Sequence, residues 1–261
     1  VGRIQHVSAD AQASYGTDGY IALQLFDERE VDRLREMVHR VVIAVDPPIH
    51  PRMVIQRALQ QPDWERFPSN PFAVHHVVNC VLAGDEWISL AADHKLVEVM
   101  SRLLGPALDL DMSFLRMRPP GLKMAPPWHI DAVGDYFDTT EAITALVYLT
   151  DMDEESGATW VVPRHVPLSM DDYLAGTLND ADFEAAGHPI VAPAGTVVFL
   201  SPTVIHRGGW NQGSAESGVL AFEYRSAGNR RVPESNLDLA LSDMPVARPG
   251  WSLTGLADWR A

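Results

Sequence analysis

In the run Pro127-Trp128-His129-Ile130-Asp131, a histidine and an aspartate stand two residues apart. On an extended chain alternate side chains share a face. An imidazole nitrogen and a carboxylate oxygen then lie side by side, as two adjacent ligands for a divalent metal. A candidate third ligand, His206, follows the β-like run Thr196-Val197-Val198-Phe199-Leu200 and a turn at Ser201-Pro202. Two histidines and one carboxylate on one side of an iron leave three positions open, the donor set of non-haem Fe(II) oxygenases. The same donors also suit zinc, but the chain has no His-Glu-x-x-His with its built-in general base. His75, His76 and His94 lack a comparable partner set and read as structural, while His165 and His188 sit near prolines in turns and read as surface.

Elements must bring residues 129, 131 and 206 together. From residue 108 short β-branched and aromatic runs alternate with Gly, Pro and Asp. Strands are expected near 109–118, 126–132, 142–150, 158–163, 188–193, 196–201, 204–208 and 217–226. Eight short strands with turns between them suggest a jelly roll. Its second and seventh strands lie side by side, and those strands carry His129 and His206. An acidic helical insert over 170–186 interrupts them, with Asp171, Asp172, Asp180, Asp182 and Glu184 on its solvated face.

The part before the strands reads as helical, over 1–107. Residues 16–25 form a turn and a short strand. Asp27 with Glu30 makes a capping box for a helix whose stripe is Val31, Leu34, Val38, Val41, Val42 and Val45. Asp46-Pro47-Pro48 ends it. Residues 46–72 are proline-rich and read as a loop with a short helix through 53–60, the kind of segment that often forms a lid. A second apolar helix spans 87–104 and stops at Gly105-Pro106. The tail, 227–261, is turn-rich. The expectation is one domain over 1–261, mainly β with helices packed on it.

The formal net charge of −15 argues against nucleic acid or an anionic membrane as partner. No apolar run is long enough to span a bilayer, and the first residues lack the apolar core of a signal peptide. The lone Cys80 forms no internal disulfide and fits a reducing, cytoplasmic setting; it reads as a buried structural thiol.

Taken in order, the motifs resemble the phytanoyl-CoA dioxygenase family of Fe(II)/2-oxoglutarate oxygenases. The matching pieces are Asp18-Gly19-Tyr20, Arg118-Pro119-Pro120-Gly121, Trp128-His129-Ile130-Asp131, Glu155-Ser156-Gly157 with Val162-Pro163-Arg164-His165, and Ala194-Gly195-Thr196 leading to His206. The resemblance implies a double-stranded β-helix with iron held by His129, Asp131 and His206. It also implies a keto acid chelating the metal, dioxygen as co-reactant, and succinate and CO2 as products. Relatives that halogenate replace the carboxylate with a small residue, so Asp131 points to oxygenation, desaturation or cyclisation.

One departure stands out. The family usually places an arginine about eleven residues after the second histidine, pairing with the far carboxylate of 2-oxoglutarate; here that position is Ser217. A buried unpaired carboxylate is costly, so another cation is needed. Arg116 is the candidate anchor; Arg118 belongs to the Pro-Pro turn, and Arg207 alternates away from His206. Without such an anchor, the reading becomes an iron enzyme that does not use 2-oxoglutarate, or a metal-binding jelly roll without turnover. Trp128, Tyr136, Phe137 and Trp210 lie near the motifs and could wall a pocket for a bulky small molecule, with hydroxylation or related tailoring of a secondary metabolite as the expected outcome.

Overall fold

A computed structural model describes residues 8–43, 50–57, 74–120, 126–131, 141–168, 172–173, 175–229 and 244–247. The strands form two facing sheets. Strands β4 (Leu108–Arg118), β5 (Ala142–Tyr148), β8 (Thr196–Leu200) and β10 (Ser217–Ser226) make the centre of the larger one, in the order β8-β5-β10-β4. Strands β6 (Thr159–Val162), β7 (His188–Pro189) and β9 (Ile205–Gly208) make the smaller, in the order β7-β6-β9. A bridge between His129 and His206 adds the segment at 129 to the edge of β9. The chain thus crosses repeatedly between sheets, and all pairings among the described residues are antiparallel. This is the interleaving of a double-stranded β-helix, as expected.

The expected strand over 126–132 contracts to that single bridge. Pro126 and Pro127 have no N–H to offer a ladder, while the amides and carbonyls of His129 and His206 exchange bonds of 2.9 Å in both directions. The expected strand over 188–193 is likewise interrupted by prolines and reduces to β7 plus a bridge from Met152 to Ala192.

The region before residue 108 is not purely helical. β1 (Tyr20–Gln24) pairs with β8, and β2 (Val54–Arg57) pairs with β3 (Val74–Val78), which pairs with β4, so these strands widen the large sheet on both sides. The short helix expected through 53–60 is therefore corrected to a strand over its described part. An unforeseen helix, α1 (Ala9–Asp18), starts on a Ser8 cap and ends where Gly19 turns left-handed at φ 79°. Helix α2 (Glu28–Ile43) begins as expected: Glu30 N donates to Asp27 Oδ1 and Asp27 N to Glu30 Oε2, at 2.9 and 2.8 Å. The apolar helix expected over 87–104 is two, α3 (Asp85–Ala91) and α4 (His94–Leu104), because the Asp93 carboxylate accepts from Lys95 N at 2.8 Å and starts the second. In the acidic insert the helix α5 covers Asp180–Ala186 behind an Asn179–Asp182 capping box. The tail supplies β11 (Met244–Ala247), pairing with β4.

The two faces of the large sheet do different work. One buries Leu115, Met117, Val147, Phe199, Leu220 and Phe222 against Trp87, Leu96 and Met100 of α3 and α4 and the Val31, Leu34, Val38 stripe of α2. At about 1.5–3 kcal/mol for each fully buried large side chain, this layer is the main hydrophobic core. Cys80, fully buried, belongs to it, and burial pushes its thiol up to about 12. The other face looks toward the small sheet and holds a smaller cluster of Tyr148, Val198, Leu200, Val219 and Val161. Arg116, Arg118, Ser217, Thr144 and Glu223 have the parity of this inner face. Polar groups inside a barrel mark a site rather than a core. No helix among the described residues is long and apolar enough to cross a membrane.

Candidate metal centre

His129, Asp131 and His206 meet. Each offers one ligand atom, and these atoms lie within 4.8 Å of one another; among the described residues this is the group able to hold a metal. Asp131 Oδ1 is 3.8 Å from His129 Nε2 and 3.7 Å from His206 Nε2. Ligands about 2.1 Å from one ion at right angles stand roughly 3 Å apart, so small side-chain rotations close the set around an ion.

Both histidines are oriented by the same local device. His129 Nδ1 donates to Pro127 O at 2.9 Å, and His206 Nδ1 donates to Val204 O at 3.0 Å. A carbonyl only accepts, so each Nδ1 carries the proton and each Nε2 keeps its lone pair for the metal. Burial, then the neighbouring His206, pushes His129 below the usual histidine range and favours the neutral, ligating form. Asp131 is held in turn: Thr144 Oγ1, on β5, donates to Asp131 Oδ2 at 2.7 Å. One carboxylate oxygen is occupied by protein, and the other faces the imidazoles. Thr144 was not singled out in the sequence; its parity inside the expected strand 142–150 was the available signal.

The expected neighbours fall out unevenly. Arg116 shares the inner face, and among the described residues its guanidinium forms no hydrogen bond or ion pair. Burial lowers its pKa, while the negative charges of Asp131 and Glu223 oppose that. Ser217 is 1% exposed, and its hydroxyl donates to Ser156 O at 2.6 Å. Trp128 faces away from the metal ligands, as residue 128 must when 129 points inward. It is buried in an outer cluster with Ile130, Val162, Phe183 and Ile205, with the Arg207 guanidinium 4.7 Å from its ring centre. That removes it from the pocket wall. Trp210 is exposed, on the loop after β9 against Gly157. Tyr136 and Phe137 lie outside the described residues.

The interleaved sheets and the histidine-carboxylate centre define a double-stranded β-helix protein with a non-haem metal site. The chain belongs to the phytanoyl-CoA dioxygenase family, whose model matches residues 15–217. With the family comes the enzyme class, an oxidoreductase of the iron- and 2-oxoglutarate-dependent dioxygenases. The chain is 22% identical to L-proline trans-4-hydroxylase of Streptomyces griseoviridis, over 84% of this chain and 87% of that protein. It superimposes on EctD from S. alaskensis in its apo form with a TM-score of 0.71 and 20% identity, covering 89% and 81% of the two chains. SnoK, a non-haem α-ketoglutarate-dependent carbocyclase from nogalamycin biosynthesis, gives 0.66 and 19%, covering 89% and 90%.

Proposed function

We propose that this dioxygenase oxidises a C–H bond of a small organic molecule, by hydroxylation or a related tailoring step, with Fe(II) held by His129, Asp131 and His206. The carrying observation is the convergence of two Nε2 lone pairs and one free carboxylate oxygen at the inner wall of the β-helix. Bound there, Fe(II) and 2-oxoglutarate supply the oxidising chemistry, with succinate and CO2 as coproducts. The protein's share is positional. Pro127 and Val204 fix the imidazole tautomers, and Thr144 fixes the carboxylate. A small-molecule substrate is supported by the relatives, which include a proline hydroxylase and a carbocyclase of nogalamycin biosynthesis. With Trp128 turned outward, the expectation of a bulky substrate rests on Tyr136, Phe137 and Trp210.

The test is spectroscopic and then chemical. Anaerobic Fe(II) with 2-oxoglutarate is expected to give a visible charge-transfer band that neither component gives alone. Air is then expected to produce succinate, faster with substrate present. A colourless mixture and no succinate above a His206→Ala control would overturn the reading.

A further inference from the structure

The family's cation is absent at Ser217, and the register shows what stands opposite. Ser217, the first residue of β10, pairs directly with Arg118, the last residue of β4. Opposed residues of an antiparallel pair project to the same face, so Arg118 enters the interior from the neighbouring strand at the level where the family carries its arginine. Its guanidinium reaches across to the small sheet: a methyl group added at Gly208 would come 2.7 Å from Arg118 Nη2. Gly208 lies two residues beyond His206 on β9, about 7 Å along a strand. A five-carbon keto diacid chelated at the metal through one end spans a comparable distance with the other.

Among the described residues Arg118 is a buried cation with no anion paired to it. It is 7% exposed, and the one hydrogen bond of its guanidinium among the described residues is from Nη1 to the Gly157 carbonyl, at 2.5 Å. A guanidinium has five donors in a fork. No carboxylate pairs with it among the described residues, in contrast to Arg225, which faces Asp109 and Asp111 at 3.5 and 3.6 Å. Burial first, then repulsion from Arg116, lowers its pKa to about 10, which leaves it charged at neutral pH. A buried charge with no counter-charge is strongly unfavourable, and an incoming carboxylate relieves that. Arg116, by comparison, already has Asp131 and Glu223 near it.

We propose that Arg118 supplies, from the facing strand, the guanidinium that the family carries at position 217, and that it takes the far carboxylate of 2-oxoglutarate. The anchoring role expected of Arg116 passes to Arg118; Ser217, at the position of the usual cation but too short to reach, ties down the 156–157 turn on which Arg118 also leans. The assignment rests on the dioxygenase reading above, and its test separates the two.

Binding is measured anaerobically through the charge-transfer band, for 2-oxoglutarate and for pyruvate, which chelates alike but lacks the far carboxylate. Wild type is expected to prefer 2-oxoglutarate. Arg118→Gln is expected to raise the Kd for 2-oxoglutarate on the order of a hundredfold, while that for pyruvate moves less than about threefold. The double exchange Arg118→Ser with Ser217→Arg returns the guanidinium to β10 and is expected to recover most of the preference. Arg118→Lys covers the case in which the glutamine variant does not fold, and is expected to lose about tenfold of the preference, a point charge replacing a planar fork. An unchanged preference in whichever of the two single variants folds overturns the assignment to Arg118. A wild type that gives no band with either keto acid overturns the dioxygenase reading as well.

Discussion

Thr144 Oγ1 donates a 2.7 Å hydrogen bond to Asp131 Oδ2. It leaves Oδ1, the oxygen that faces both imidazoles, as the carboxylate atom for the metal. Without the hydroxyl, Asp131 is free to rotate and to bind through both oxygens. Partners of metal ligands typically contribute 10–100-fold in metal affinity. Thr144→Val keeps the β-branched shape β5 favours, so an Fe(II) Kd raised about 10–100-fold is expected with little change in melting temperature. Thr144→Ser is expected to recover most of the affinity. Anaerobic Fe(II) titration of the three proteins checks this, and equal affinities would assign Thr144 to packing alone.

His76, on β3, stacks on Phe114 with ring centres 5.5 Å apart and lies opposite Arg116 in register. Burial, then the Arg116 charge, then His75, push its pKa down to about 3. An unfolded histidine titrates near 6.5. Between those values the unfolded chain binds a proton that the fold refuses, so this contribution to stability is present above about pH 6.5 and is lost as pH falls toward 3. His76→Phe is expected to flatten the acid limb of stability against pH between about 6 and 4 while leaving neutral-pH folding intact. Urea midpoints across that range measure it; parallel curves for variant and wild type would place the acid sensitivity elsewhere.

Gly195 holds the turn before β8 at φ 85°. Its carbonyl accepts from Leu25 N and Phe26 N at 3.2 and 3.1 Å, and its amide donates to Tyr148 O at 2.8 Å. A Cβ at this position would stand 2.1 Å from Phe26 O. Left-handed strain and forced backbone movement each cost roughly 1–3 kcal/mol, so Gly195→Ala is expected to destabilise the protein by about 2–5 kcal/mol. Chemical denaturation gives the number directly. A loss under about 1 kcal/mol would show that the turn opens freely to accommodate a methyl.

Local chemistry announced itself and long-range pairing did not. His129 and Asp131 share a face because of their spacing alone, and the capping box at Asp27 and Glu30 is written in four residues. The strands from 108 onward stand out because turn residues punctuate them. By contrast β2 has four residues among prolines, and only its pairing with β3 makes it a strand; read alone it passed for helix. Asp93 was concealed inside an apolar run that otherwise looks continuous, and α1 carries no apolar stripe to find. At position 217 the missing cation is legible from the spacing after His206 alone. What sits across from it is a matter of register, which no count along a single strand supplies, so Arg118 was assigned to a turn.

Arg207 follows a proposed ligand directly, yet its side chain points the other way. Its guanidinium lies 4.7 Å from the Trp128 ring centre and 5.7 Å from that of Trp160, and pairs with Glu184 of α5 at 3.0 Å. Strand alternation sends His206 inward and Arg207 outward, where it fastens the acidic insert onto the small sheet. Cation–π contacts of this kind contribute about 0.5–2 kcal/mol, and the ion pair, whose Glu184 side is half exposed, adds little. Arg207→Met is therefore expected to lower stability by about 1–2 kcal/mol, and to increase protease cleavage within 170–186, while the Kd for 2-oxoglutarate stays within about twofold. Limited proteolysis and the anaerobic charge-transfer titration read the two effects separately. The opposite pattern, intact stability with keto-acid affinity lost, would put the Arg207 guanidinium on the cosubstrate and remove the need for Arg118 there.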